Sequence, residues 1–146
     1  MSPTSNTSIV RVALPVPVRR LFDYRLPDTG NSPEPGCRVS VPFGRRKMTG
    51  LVVSLADHTD YDQNKLKPVL DCLDKTPLID AWHMKFLNWV AEYYLHSPGE
   101  VLFAALPVLL RQGHAPELPS ITCWTCTPLG YERLSQAPGR ARVQYT

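Results

Sequence analysis

Three consecutive residues, Phe22-Asp23-Tyr24, set a carboxylate between two aromatic rings, with Arg19 and Arg20 close before them. A second cationic cluster, Arg45-Arg46-Lys47, follows Gly44 at what reads as a hairpin tip. The combination suits the grip of one nucleotide. Rings stack on a base, cations meet phosphates, and the acid accepts a hydrogen bond from a hydroxyl or a base edge. The triplet is also readable as a plain strand whose rings pack inward and whose acid is solvated. Charged hairpin tips are likewise common without any ligand.

Catalytic chemistry finds no support. The chain has no Gly-x-x-x-x-Gly-Lys-Ser/Thr loop, no Gly-x-Ser-x-Gly, no dinucleotide-binding glycine pattern and no His-Glu-x-x-His. Without a phosphate-binding loop this chain alone is not expected to hydrolyse ATP. Cys123 and Cys126 have the spacing of half a zinc site, but Cys37 and Cys72 stand alone and no His pair completes a set of ligands. All are expected to be ordinary buried or half-buried thiols. His58, His83, His96 and His114 are scattered and take no role.

The elements that must position the triplet follow from hydrophobic period. Ile9 to Leu14 reads as a strand closed by Pro15 and Pro17, and Leu21 to Leu26 as a second, with Phe22 and Tyr24 on one side and Asp23 on the other. Cys37 to Phe43 alternates, which predicts Cys37, Val39, Val41 and Phe43 inward and Arg38 and Ser40 outward. Met48 to Leu55 is the returning strand, in which Gly50 marks a bulge or a close backbone approach. Pro27 to Gly36 and Asp57 to Gln63 are surface loops, and Lys67 to Leu73 is an extended edge segment. Short strands with Pro and Gly between them predict a small barrel-like sheet.

The second half changes period. After Asp80, a good N-cap, Trp82, Phe86, Trp89, Val90, Tyr93 and Tyr94 recur at helical spacing to about Leu95, and these rings are expected to be core. Ser97-Pro98-Gly99-Glu100 opens a second helix running through Ala105. Val108 to Leu118 reads as a linker with an apolar anchor, Ile121 to Thr125 as a strand, and Leu129 to Leu134 as a helical turn. The fold class is α+β: a small barrel-like sheet, then two helices, then a linker. The tail reads as a truncated end.

Composition agrees with a globular chain: 146 residues, 43% apolar and 20% charged, enough for one ordinary domain or one small domain and the start of another. Fifteen prolines are about twice the usual share of ~5%, which favours turns and strand edges over long helices. Residues 1–60 carry eight Lys/Arg against five Asp/Glu, whereas residues 61–105 carry four against six. A polyanion is therefore expected on the early part of the chain. No apolar run approaches the ~18–20 residues that span a bilayer, and the Ser/Thr-rich start is no signal peptide, so a cytoplasmic protein with reduced thiols is expected.

Ala13-Leu14-Pro15-Val16-Pro17, Phe22-Asp23-Tyr24, Gly36-Cys37-Arg38-Val39, Val41-Pro42-Phe43-Gly44 and Gly50-Leu51-Val52-Val53 occur in order, as do Leu66-Lys67, Tyr93-Tyr94 and Gly99 to Pro107. Together they closely resemble the N-terminal part of the bacterial primosomal protein N′ (PriA) family of replication-restart DNA helicases, over about residues 9–113. The resemblance implies a 3′-DNA-binding domain over residues 1–105, a linker over 106–135 and the start of a winged-helix domain over 136–146. It implies recognition of the 3′-terminal nucleotide of a leading strand at a stalled fork. Phe22, Asp23 and Tyr24 would line the terminal-base pocket, Gly44 would admit the nucleotide to the backbone, and Lys67 would stand at the pocket edge. Arg45, Arg46 and Lys47 are expected on neighbouring phosphates. The family's whole proteins are ATP-dependent 3′-to-5′ helicases that use ATP, magnesium and zinc and meet primosome proteins and single-strand-binding protein; no cofactor is expected in this segment. The longer leader and the Pro-rich loop from Asp28 to Glu34 depart from the family. The competing expectation is a protein-interaction module whose basic hairpin docks an acidic partner segment.

Overall fold

The structure, a computed structural model, describes residues 9–26, 32–117 and 120–135. The expected loose leader Met1 to Ser8, part of the Pro27 to Gly36 loop and the expected winged-helix start at 136–146 lie outside the described residues.

Five antiparallel strands, β1 (Ile9–Ala13), β2 (Phe22–Arg25), β3 (Arg38–Phe43), β4 (Arg46–Ala56) and β5 (Asp71–Cys72), form one sheet in the order β2-β1-β4-β3-β5. β4 is long enough to serve two neighbours. Its first half pairs with β3 from Phe43↔Arg46 to Arg38↔Leu51, and its second half with β1 up to Ile9↔Ala56. The β1 register slips between Arg11, opposite Ser54, and Val12, opposite Val52, so Val53 is the extra residue of a bulge that bends the strand. Gly50 is the other alternative, a close approach: a Cβ there would lie 2.3 Å from Val12 Cγ1.

The ladder is open, but one segment ties its two edges. The Arg25 amide donates to the Lys67 carbonyl (2.9 Å) and the Val69 amide to the Arg25 carbonyl (2.9 Å), while the Leu70 amide donates to the Ser40 carbonyl (2.8 Å). Lys67 to Leu70 thus touches β2 on one side and β3 on the other, which is the barrel-like closure in its smallest form.

Both faces of the sheet are covered. Val10, Val12, Tyr24, Val39, Val41, Val52 and Val69 form one buried cluster, and Ala13, Leu51, Ile79, Met84, Leu102, Phe103 and Leu106 form the other. Successive residues such as Leu51 and Val52 fall in opposite clusters, as a pleated strand requires. This corrects the expectation that Arg38 and Ser40 point outward: both are buried. Alternation gave two faces, and neither faces water. Arg38 Nη2 and Nε donate to Asp74 Oδ1 (2.6 Å) and Oδ2 (2.9 Å), and Nη1 donates to the carbonyls of Leu110 (2.6 Å) and His114 (2.9 Å). Removing two charges from water is tolerated because the fork is matched to a carboxylate and to carbonyls.

Helix α1 (Ala81–Tyr93) starts where Asp80 accepts from the His83 amide (2.8 Å). Helix α2 (Pro98–Ala104) starts at Ser97, whose Oγ accepts from the Glu100 amide (3.5 Å) and donates to the Val16 carbonyl (2.7 Å), joining the helix cap to the loop after β1. Helix α3 (Val108–Arg111) is a single turn where a linker was expected, and α4 (Pro128–Ser135) extends the expected helical turn.

Three expectations are corrected. The α1 aromatics are not core: Trp82, Phe86, Trp89, Tyr93 and Tyr94 are exposed, and the helix buries Met84 and Ala91, with Leu87 partly buried. Helical spacing marks a stripe without saying which of two apolar stripes turns inward. Ile121 to Thr125 forms no strand, because a β-branched run becomes one only beside a partner and Ile121 and Trp124 are almost wholly exposed. Cys123 and Cys126 are likewise exposed, whereas Cys37 is buried and Cys72 partly so. The chain divides into two compact units, Met1–Pro116 and Glu117–Thr146, with the sheet and α1 to α3 in the first and α4 in the second. Among the described residues no helix is long and apolar enough to cross a membrane.

Candidate nucleic-acid interface

The β1–β2 register sets Arg11 directly opposite Asp23. Arg11 Nε lies 3.7 Å from Asp23 Oδ1, and the Thr59 hydroxyl donates to Asp23 Oδ2 (2.5 Å). Thr59 Oγ1 in turn accepts from the Tyr61 amide (3.1 Å), which fixes the hydroxyl's direction. Asp23 is therefore a positioned carboxylate, its side chain about one-fifth exposed (21%). A carboxylate has about four acceptor sites, so these partners leave capacity for a further donor.

Around it opens a cavity of about 490 Å3, within the ~300–1,000 Å3 range of small-ligand clefts. It gathers Phe22, Asp23, Tyr24, Gly44 and Lys67 from β2, the β3–β4 turn and the segment that ties the sheet edges. Arg11, Arg20 and Lys65 also line it, so four cations stand against the two acids Asp23 and Asp60.

The two rings of the triplet have different surroundings. Tyr24 is buried in the core with its hydroxyl donating to the Pro42 carbonyl (3.2 Å), and burial pushes the phenol up to about 12. With 4% exposure it offers no open ring face. Phe22 is half-buried, meets Phe43 edge-on (5.3 Å, 81°), and carries the Arg20 guanidinium 5.1 Å from its centroid. Strand alternation sets Asp23 apart from both rings, which share the face that packs on the core; Phe22, the first residue of β2, is the less covered of the two.

Gly44 has φ +59° with open space where a Cβ would stand, so its first requirement is the two-residue turn between β3 and β4. Arg45, Arg46 and Lys47 are exposed on that hairpin and do not line the cavity. Sequence reasoning missed Arg11, Thr59, Tyr61 and Lys65. Arg11 was findable only from strand pairing, and nothing local marks Thr59 within its polar loop.

A cation-rimmed cleft with a fixed acid, on a small open sheet whose edges one segment joins, has the chemistry to receive a polyanion. The chain belongs to the PriA 3′ DNA-binding-domain family, whose 3′DNA-binding domain (3′BD) it matches over residues 11–107. It is 44% identical over 128 residues to the replication restart protein PriA of Haemophilus influenzae, covering 88% of this chain and 17% of that protein. It is 34% identical over 102 residues to the Bacillus subtilis replication restart protein PriA (69% and 13% covered), and 30% identical over 124 residues to that of Buchnera aphidicola from Acyrthosiphon pisum (85% and 17%). The chain thus spans less than a fifth of the length of these relatives.

Proposed function

We propose that the Asp23 cavity receives the terminal nucleotide of a DNA 3′ end and tests whether the strand stops there. The observation that carries this reading is the Asp23 carboxylate, held by Thr59 and Arg11 at the wall of a cleft rimmed by Arg20, Lys65 and Lys67. A free 3′-hydroxyl donates to the carboxylate. A continuing phosphodiester sets like charges together, and at ~4 Å and a surface-like effective dielectric these repel by about 4 kcal/mol before screening.

Base identity need not be read. Phe22 with the Arg20 guanidinium over it offers a flat, sequence-tolerant surface, and such stacking contributes ~1–3 kcal/mol per base. Lys65, Lys67 and the exposed Arg45, Arg46 and Lys47 supply phosphate contacts that weaken with salt. In this reading the longer protein to which the module belongs is an ATP-driven 3′-to-5′ helicase that restarts stalled forks. It works with primosome proteins and single-strand-binding protein, and its ATP, magnesium and zinc sites lie outside this chain.

The test is competition, by fluorescence anisotropy, between oligonucleotides ending in a 3′-hydroxyl and in a 3′-phosphate. The chain prefers the hydroxyl end, and Asp23→Ala levels the two. A variant that discriminates as well as the unaltered chain rules this role out. Thr59→Val, which frees the carboxylate without removing it, narrows the preference less.

A further inference from the structure

Four rings line the Asp23 cleft: Phe22, Tyr24, Phe43 and Tyr61. Three of them are already engaged. Tyr24 is buried in the core, Phe22 and Phe43 meet edge to face, and the Arg20 guanidinium stands 5.1 Å from the Phe22 centroid. Tyr61, in the loop after β4, has no other ring or cation stacked on it among the described residues. Its backbone is nevertheless held from both sides. The Tyr61 amide donates to Thr59 Oγ1 (3.1 Å), the same hydroxyl that donates to Asp23 Oδ2. Just beyond it, Asp62 Oδ1 accepts from the Asn64 amide (3.1 Å) and the Asp62 carbonyl from the Lys65 amide (2.9 Å), which closes the single 3-10 turn Gln63–Lys65. One hydroxyl thus ties the loop that carries the ring to the acid.

We infer that Tyr61 is a nucleotide-binding residue whose ring stacks on the terminal base, with the Phe22–Arg20 pair as the second surface, while Asp23 takes the 3′-hydroxyl. This rests on the reading of the Asp23 cavity as the seat of a 3′-terminal nucleotide and adds the group that holds the base. A base needs a free ring face, and Tyr24 and Phe43 do not supply one. Tyr61 belongs to neither buried cluster, so packing gives the ring no other task. Stacking is tolerant of sequence, as a site that reads an end and not a base requires. The bonds on either side of Tyr61 set its backbone before any ligand arrives, so little ordering is left to be done on binding. Because Thr59 serves both Asp23 and the Tyr61 amide, the contacts to sugar and base are set by one side chain.

The experiment measures, by fluorescence anisotropy, binding of 5′-labelled oligothymidylates to the 146-residue chain. Their last residue is deoxyadenosine, a tetrahydrofuran residue that lacks the base but keeps the 3′-hydroxyl, or deoxyadenosine 3′-phosphate. Removing the base is expected to weaken binding by roughly five- to hundredfold. Tyr61→Leu, with its circular dichroism unchanged, weakens the deoxyadenosine end about fivefold or more and the baseless end by less than about twofold, so the two losses are not additive. Tyr61→Phe, which keeps the ring, binds as the unaltered chain does. The preference for hydroxyl over phosphate survives in Tyr61→Leu, whereas Thr59→Val lowers that preference and the base penalty together. Three results overturn the inference: Tyr61→Leu without effect, equal weakening of the complete and baseless ends, or Tyr61→Phe as damaging as the leucine change, which assigns the effect to the hydroxyl. Loss of the hydroxyl preference in the unaltered chain overturns the reading of the cavity instead, and the base penalty still decides the role of Tyr61.

Discussion

The Tyr24 phenol couples the site to the core, and its titration gives a signed prediction. Burial raises its pKa from 10.0 to about 12, so the native state favours the neutral ring more than the unfolded chain does. That contribution is whole below pH 10 and is lost as pH climbs through about 12, a fall of roughly 2–3 kcal/mol in unfolding free energy. Urea titrations at stepped alkaline pH, with phenolate absorbance as a second probe, measure it. Tyr24→Phe is expected to remove the steep alkaline loss and to cost ~1 kcal/mol near neutrality through the hydrogen bond to Pro42. An unchanged alkaline slope in that variant assigns the loss elsewhere. At this scale the residue types of the triplet were legible in the sequence, and their surroundings were not. Thr59 reaches Asp23 across 36 positions and Arg11 through strand register, and neither relation leaves a mark on the local sequence.

Helix α1 shows which parts of an element can be read locally. Asp80 and Ser97 were legible as caps because a cap is satisfied within a few residues. The end of α1 was legible only approximately. Its C-terminus is a Schellman turn, with the His96 amide donating to the Ala91 carbonyl (2.9 Å) and the Leu95 amide to the Glu92 carbonyl (3.2 Å). Leu95 sits at φ 51°, where a side chain is unfavourable, and is 69% exposed. Leu95→Gly is therefore expected to stabilise the chain by about 1 kcal/mol, read as a higher urea midpoint at unchanged slope. A lower midpoint means the leucine makes contacts that outweigh its strain. The strands were legible by alternation, but Arg38 was not. Its burial depends on Asp74, Leu110 and His114 arriving from later in the chain, and a period of two has no term for that.

Over the whole molecule the four thiols report how unevenly the chain is packed. Cys123 and Cys126 are exposed in the second unit, while burial raises the pKa of Cys37 and Cys72 in the first. A thiol-reactive dye in native buffer is expected to modify Cys123 and Cys126 at the rate of an unfolded peptide and to reach the other two only after denaturant is added. Uniform rapid labelling means the sheet opens far more readily than its burial implies. The division at Pro116 was not legible, because Val108 to His114 has a linker's composition and yet is tied to β3 by the Arg38 hydrogen bonds to Leu110 and His114. That clasp has a mechanical corollary. Tension applied to the polypeptide beyond His114 passes through the Arg38 guanidinium into β3, beside the edge strand β5, and β3 also brings Pro42 and Phe43 to the Asp23 cleft, so one strand links the pulled end of the chain to the cleft wall.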